Sequence, residues 1–134
     1  LYYGALSGSG LYRIQLRDLR DDRLPPGQLA NRIERFSDKP LSDGFSIDTQ
    51  GNVYMTDIEH NSISVVGPER ELETLIHSDS LRWPDALSFG PDGYLYLADS
   101  ALAELILRSR EHIEASGPYR IFRFRPGVEG VPGQ

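Results

Sequence analysis

The sequence predicts an all-β fold made of repeated four-stranded antiparallel sheets, and three observations support this prediction. A segment of seventeen residues recurs 42 positions further along the chain without a gap. Each copy has the pattern of two strands around a glycine-containing turn. Two more alternating apolar segments follow the first copy, so four strands occupy about 40 to 45 residues, which is the size of one β-propeller blade.

The repeat aligns residues 41–57 with residues 83–99. Five of the seventeen pairs are identical, where average composition would give about one. The identical pairs are Asp43 with Asp85, Ser46 with Ser88, Gly51 with Gly93, Tyr54 with Tyr96 and Asp57 with Asp99. Because apolar positions also match, the two copies are expected to form the same hairpin.

The first 40 residues predict an incomplete blade. Residues 1–4 and 10–16 have the pattern of its second and third strands, and residues 31–36 have that of its outer strand. Residues 17–29 are charged and are broken by two prolines and a glycine. This composition is typical of a surface loop.

Residues 41–82 predict one complete blade. The first copy of the repeat supplies its two inner strands, and Gly51 is expected to provide the positive φ that the turn requires. Residues 61–66 and 71–76 alternate apolar and polar side chains, so they predict the two outer strands.

Residues 83–134 predict a second incomplete blade that carries one inserted helix. The second copy of the repeat supplies its two inner strands. Residues 101–115 place apolar side chains near one helical face, with Ser100 as the expected N-cap. Residues 119–124 then resume the strand pattern.

The number of blades predicts that this chain does not close a ring. A propeller closes with roughly four to eight blades, whereas 134 residues at a period of 42 supply about 3.2. Unclosed sheets expose edges and apolar faces. We therefore expect a segment of a single propeller domain, and the remaining blades are partners needed for closure.

Composition excludes several classes of function. The chain has 14 Lys and Arg against 20 Asp and Glu, and these charges are scattered, which argues against a nucleic-acid partner. The longest uncharged stretch covers residues 1–12, well short of the roughly 20 apolar residues of a membrane span. The absence of Cys excludes disulfides, thiolate catalysis and Cys-based zinc sites.

Propeller topology predicts where the polar residues of the repeat meet. Asp43 and Asp85 precede equivalent innermost strands, so both are expected at the same mouth of the central channel. Trp83 lies beside Asp85, and the loop between second and third strands returns to this face with His60 and Asn61. These five residues are the predicted small-molecule site.

Each of these residues also has a structural interpretation. An Asp at the start of a strand often accepts hydrogen bonds from backbone N–H groups of a neighbouring turn. Asp57 and Asp99, at the end of the second strand of each copy, are expected to be such structural caps. His60 is most simply an exposed loop residue, and Trp83 could pack between adjacent blades.

Nearly the whole chain resembles the major royal jelly protein and yellow family in its bacterial form. The similar stretches are SDGFSIDTQGNVYMTDIEHNSISVV, LRWPDALSFGPDGYLYLADSAL and GPYRIFRF, with LYYGALSGSGLYRI near the start. The resemblance implies a partial six-bladed propeller that is the C-terminal segment of its domain. It also implies an amine or catechol-like ligand in the channel, dopachrome-conversion-like chemistry, and an extracellular or periplasmic location.

A more distant resemblance is to the gluconolactonase and regucalcin group. Asp43 in SDG and Asp85 in PDA occupy positions comparable to those at which that group binds a divalent cation. The resemblance implies a Ca²⁺ ion held by these two residues and a calcium-dependent lactonase or esterase as the second candidate function. A non-catalytic secreted structural or interaction protein is the third.

Overall fold

The computed structural model describes residues 1–131 and contains three antiparallel sheets that follow one another along the chain. The middle sheet has four strands, and the first and third have three each. Helices are few and short. The predicted fold class, an all-β partial propeller, is confirmed. The last three residues of the predicted segment 83–134 lie outside the described residues.

The first sheet contains the three strands predicted in residues 1–40. Its strand order is β1-β2-β3, with antiparallel pairing throughout. The predicted surface loop between β2 and β3 contains two short helices, the second of which begins at a proline, where a missing N–H costs nothing. The elements are β1 (Tyr2–Tyr3), β2 (Gly10–Arg13), α1 (Leu16–Leu19), α2 (Pro26–Ala30) and β3 (Glu34–Asp38).

The second sheet has four antiparallel strands, all of which lie within residues 41–82. Its strands are ordered as they occur in the chain, and Gly51 in the first turn has a φ of 86°. Every residue of the second strand is buried, whereas the fourth strand is an exposed edge. The elements are β4 (Phe45–Ile47), β5 (Val53–Asp57), β6 (Ser62–Val66) and β7 (Leu72–His77).

The third sheet repeats the first three strands of the second. Its order is β8-β9-β10, and Gly93 in its first turn has a φ of 75°. The hairpin of β8 and β9 has the same pairing register as its counterpart: Leu87 pairs with Leu97 as Phe45 pairs with Met55. The elements are β8 (Pro84–Phe89), β9 (Leu95–Asp99) and β10 (Arg120–Phe124).

The prediction of one continuous helix over residues 101–115 is wrong. The insertion contains a single 3₁₀ turn, Leu102–Glu104, and a separate helix α3, Arg110–Ala115. Leu107 has a φ of 59° and is fully exposed, so the backbone leaves the helical conformation between the 3₁₀ turn and α3. Ser109, and not Ser100, caps α3 by accepting a hydrogen bond from the His112 N–H at 3.3 Å.

The core consists of two clusters, one on each face of the second sheet. Alternate residues of β5 point to opposite faces, so Val53 and Met55 enter one cluster and Tyr54 enters the other. The first cluster, with the first sheet, is Leu11, Phe36, Val53, Met55 and Val66. The second cluster, with the third sheet, is Tyr54, Ile63, Leu81, Leu87, Leu95 and Leu97.

None of the helices described in residues 1–131 is long and apolar enough to cross a membrane.

Candidate functional site

The antiparallel pairing brings the start of each innermost strand to one end of its sheet. Phe45 pairs with Met55, so the residues before β4 lie at the same end as the loop after β5. Pro84 pairs with Asp99 in the equivalent arrangement of the third sheet. We call this end of the sheets the channel mouth; the residues of the predicted site lie before β4, at the start of β8 and in the loop after β5.

The two innermost strands approach each other closely at this mouth. A Cβ atom placed on Gly44 would overlap the carbonyl oxygen of Asp85 and lie 2.9 Å from the Cα of Ala86. Only a glycine therefore allows the backbones to come this close. The predicted convergence of residues 43 and 85 is present at the level of the backbone, and Asp85 itself is half-buried.

Asp43 and Trp83 form the most direct contact between the predicted site residues. The indole Nε1–H of Trp83 donates a hydrogen bond to Oδ2 of Asp43 at 2.8 Å. Asp43 is exposed and Trp83 is half-buried, so the pair remains open to solvent. A carboxylate and an indole ring are thus fixed side by side at the mouth.

The backbone that carries Asp43 is held by a threonine of the neighbouring strand. The hydroxyl of Thr56, which is fully buried, accepts hydrogen bonds from the N–H groups of Asp43 at 3.0 Å and Gly44 at 3.1 Å. Sequence reasoning missed Thr56 because its counterpart in the second copy of the repeat is Ala98. The repeat therefore contained no signal for this contact.

The backbone that carries Trp83 is held by Asp99. Its buried carboxylate accepts hydrogen bonds from the N–H groups of Trp83 at 2.7 Å and Arg82 at 2.9 Å. This is the structural capping role expected for Asp99. Asp57 caps in another way: its carboxylate accepts the N–H of His60 at 3.1 Å and contacts the His60 Nδ1 at 3.0 Å.

Arg82 connects the insertion to the channel mouth. Its guanidinium donates hydrogen bonds to the carbonyl oxygens of Ser116 at 2.6 Å and Pro118 at 3.1 Å. Its Nε lies 3.4 Å from the carboxylate of Asp99. The end of the insertion is therefore attached beside the segment that carries Trp83.

Asp43 and Trp83 precede β4 and β8, whereas His60 and Asn61 lie in the loop between β5 and β6. They line a shallow depression together with Thr74 and His77, towards the outer strand of the second sheet. Asn61 has a φ of 48°, a conformation that asparagine tolerates in turns, so it has a structural role in the loop. Asp43, Trp83 and Asp85 are not among the residues that line this depression.

Asp43 and Asp85 alone do not provide a complete cation site. Ca²⁺ takes six to eight oxygen ligands. Within residues 1–131, no group of three or more His, Asp or Glu side chains is arranged to hold a metal ion. One oxygen of Asp43 already accepts the Trp83 indole N–H. The described residues therefore do not fit a calcium ion without further ligands.

A buried lysine near the mouth also escaped sequence reasoning. Lys39 is only 4% exposed, and its ammonium donates to the carbonyl oxygens of Pro40 at 2.7 Å and Leu6 at 3.3 Å. Burial lowers the pKa of this amine. Nothing in the sequence around Lys39 distinguishes a buried lysine from a solvated one.

The repeated tyrosines have a structural role at the opposite end of the sheets. The hydroxyl of Tyr54 donates to Asp48 at 2.9 Å, and that of Tyr96 donates to Asp92 at 2.8 Å. Burial and the contact with Asp48 raise the pKa of Tyr54. Asp48 and Asp92 occupy different positions in their turns: without a gap, Asp48 aligns with Gly90 and Asp92 with Gln50. The repeat therefore does not relate the two aspartates.

Three packed antiparallel sheets with neighbouring innermost strands define this chain as part of a β-propeller. Scans of protein-family models and of curated proteins give no match. Among solved structures, the chain is similar to virginiamycin B lyase from Staphylococcus aureus, with 14% sequence identity and a TM-score of 0.41. The similarity covers 69% of this chain and 27% of the lyase, so this chain spans about a quarter of the lyase's length.

Proposed function

We propose that this protein is a small-molecule-binding propeller whose channel mouth takes an organic cation with an aromatic ring. The observation that carries the proposal is the hydrogen-bonded pair of Asp43 and Trp83. A carboxylate attracts an ammonium group, and an indole ring attracts a cation or stacks on an aromatic ring. An amine or catechol-like ligand satisfies both requirements.

The surroundings of the pair favour a preorganised site. Thr56 and Asp99 hold the backbones of the two residues and of one neighbour of each, Gly44 and Arg82, through four hydrogen bonds of 2.7 to 3.1 Å. Little ordering of the chain is then required when a ligand binds, which favours affinity. The backbone of Asp85, a second acidic residue of the repeat, lies against Gly44.

The resemblance to the royal jelly and yellow family supports the same ligand class. It extends the proposal to a six-bladed ring, to dopachrome-conversion-like chemistry and to an extracellular or periplasmic location. Closure of that ring needs blades in addition to the three sheets described here.

Calorimetric titration tests the proposed ligand class with dopamine and 4-methylcatechol, which differ in the ammonium group. We expect Asp43→Asn to weaken dopamine binding by about tenfold, equivalent to about 1.4 kcal/mol, without weakening 4-methylcatechol. Trp83→Leu is expected to weaken both, and Trp83→Phe to restore part of the loss.

The matched control for the carboxylate is Asp22→Asn, because Asp22 is exposed in the loop of the first sheet. It is expected to leave both affinities unchanged. Absence of dopamine binding, or equal binding by the wild type, Asp43→Asn and Trp83→Leu, would contradict the proposal.

A calcium-dependent lactonase or esterase is the second candidate, favoured by the approach of the Gly44 and Asp85 backbones. It requires oxygen ligands from other blades. Loss of lactone hydrolysis on chelation, with recovery on adding Ca²⁺, would favour it over simple binding. In the third candidate, a non-catalytic secreted structural or interaction protein, Asp43→Asn and Asp85→Asn change only stability.

A further inference from the structure

The loop between β5 and β6 and the end of β7 bring two of the three histidines of the chain into contact. The ring Nδ1 of His77 lies 2.9 Å from the carbonyl oxygen of His60. Both residues line one shallow depression, together with residues that include Glu59 and Thr74. All of the lining residues belong to the second sheet and its loops. The depression therefore belongs to the sheet that has four strands and a packed neighbour on each face.

The hydrogen bonds of the two rings determine which nitrogen carries the proton. The Nδ1 of His60 lies 3.0 Å from both carboxylate oxygens of Asp57, and the Nδ1 of His77 contacts the His60 carbonyl oxygen. Carboxylate and carbonyl oxygens only accept hydrogen bonds, so Nδ1 is the donor in each ring. The lone pair of each neutral imidazole is then on Nε2, where it can bind a metal ion.

Both of these Nε2 atoms are available. Within residues 1–131, the ring hydrogen bonds of His60 and His77 are made by Nδ1. The carboxylate of Asp79 lies 3.7 Å from the Nε2 of His77, which is longer than a hydrogen bond. The two side chains are 72% and 61% exposed, so an ion from solvent can reach them. In His112, by contrast, Nε2 lies 2.7 Å from a carboxylate oxygen of Glu104.

The partners of the two Nδ1 atoms are those typical of metal-binding histidines. Such a histidine usually donates its other ring N–H to a carboxylate or to a backbone carbonyl, which fixes the ring and makes the ligand nitrogen more basic. His60 has the carboxylate partner, and His77 has the carbonyl partner. The Asp57 side chain is only 8% exposed and also accepts the backbone N–H of His60 at 3.1 Å. Its position beneath the ring is therefore fixed.

The surroundings favour a cation that prefers nitrogen ligands. The lining of the depression includes Glu59 but neither Lys nor Arg. Imidazole nitrogens suit zinc and similar divalent transition metals, whereas Ca²⁺ takes oxygen ligands. No group of three or more His, Asp or Glu side chains in residues 1–131 is arranged around a metal position. Water then completes the coordination, so the affinity is below that of a closed four-ligand zinc site.

We propose that His60 and His77 bind a divalent transition-metal ion through their Nε2 atoms. Asp57 is the positioning residue, because it orients the ring of His60. The ion joins the loop after β5 to the end of the outer strand β7. A purely structural role of the same hydrogen bonds requires no affinity for metal, so metal binding distinguishes the two roles.

Calorimetric titration with zinc chloride, in a buffer that does not bind metals, tests the proposal. We expect saturable binding of a single ion. His60→Gln and His77→Gln are each expected to weaken zinc binding by at least about tenfold, because glutamine has no nitrogen lone pair to offer. The matched control is His112→Gln, since the Nε2 of His112 already contacts Glu104. It should leave the zinc affinity unchanged.

Asp57→Asn tests the positioning role. It is expected to weaken zinc binding by about tenfold, because the carboxylate that orients the His60 ring is lost. Urea unfolding without zinc shows that the variant is folded before its affinity is compared. In the wild type, ¹⁵N NMR of the imidazole nitrogens gives a readout that needs no substitution: zinc should shift the Nε2 signals of His60 and His77 and leave those of His112 in place.

Three results would overturn the proposal. One is the absence of saturable zinc binding to the wild type. Another is a zinc affinity that both His60→Gln and His77→Gln leave unchanged, since the ion would then bind elsewhere. The third is displacement of zinc by an equal concentration of Ca²⁺, since oxygen atoms and not imidazole nitrogens would then be the ligands.

Discussion

The side chains of Asp43 and Trp83, forty positions apart, are joined by a hydrogen bond of 2.8 Å across two neighbouring innermost strands. Each residue comes from the same end of its own copy of the repeat. The contact therefore connects consecutive sheets at the channel mouth. It exists because Gly44 lets the two backbones approach more closely than any other residue would allow.

This contact can be observed directly, because Trp83 is the only tryptophan. The protein should give a single indole N–H signal in ¹H–¹⁵N NMR. Asp43→Ala should move this signal upfield and speed its exchange with water, because the charge-assisted hydrogen bond is lost. Asp22→Ala should leave the signal unchanged. An unchanged signal in Asp43→Ala would show that the indole has another acceptor.

Thr56→Val is expected to destabilise the protein. The substitution keeps the shape of the side chain but removes the hydroxyl that accepts the N–H groups of Asp43 and Gly44. Unpaired amides near a buried side chain cost about 1 to 3 kcal/mol, and urea unfolding measures this loss. Thr74→Val, on the exposed strand β7, is the control and should change the free energy of unfolding by less than about 0.5 kcal/mol.

Asp99→Ala should lower the free energy of unfolding more than Asp99→Asn. Alanine removes the acceptor of two backbone N–H groups and the ion pair with Arg82, whereas asparagine retains a carbonyl oxygen. We expect a loss of about 2 to 4 kcal/mol for alanine and about half of that for asparagine. Equal effects of the two substitutions in urea unfolding would show that the hydrogen bonds to the backbone matter little.

The sequence alone predicts the hairpins, the order of the strands and the structural role of Asp99. These features depend on local alternation and turn residues, which are visible within a single repeat. The insertion is different: apolar periodicity over residues 101–115 indicates one helix, but the positive φ of Leu107 interrupts it. Contacts that occur in only one copy, such as that of Thr56, leave no repeated signal.

The pair of equivalent aspartates shows the same limit. Asp57 and Asp99 end the second strand in each copy, and sequence reasoning expects one capping role for both. Asp57 binds its own loop through His60, whereas Asp99 binds the segment before β8, the innermost strand of its own sheet, through Trp83. Which N–H groups each carboxylate binds depends on the conformation of the neighbouring loop. The loops differ between the two copies.

Tyr54→Phe is expected to change how stability depends on pH. Burial and the hydrogen bond to Asp48 raise the pKa of Tyr54 in the folded protein, so unfolding releases a proton once the pH exceeds about 10, the usual value for tyrosine. The contribution of this tyrosine is fully present below about pH 10 and is lost as the pH rises from there towards the raised pKa. Urea unfolding at pH 8 and 11 should show a steeper decline for the wild type than for Tyr54→Phe.

Gly44→Ala should disrupt the channel mouth, because the added methyl group would overlap the carbonyl oxygen of Asp85. The backbones of the two innermost strands must then separate, at a cost of about 1 to 3 kcal/mol in the free energy of unfolding. The Trp83 indole N–H signal should move in the same direction as in Asp43→Ala. Gly27→Ala is the control: nothing lies within 4 Å of its added Cβ, and it lies in helix α2, so a small gain of about 0.5 to 1 kcal/mol is expected. A Gly44→Ala protein as stable as the wild type would show that the two strands do not touch there.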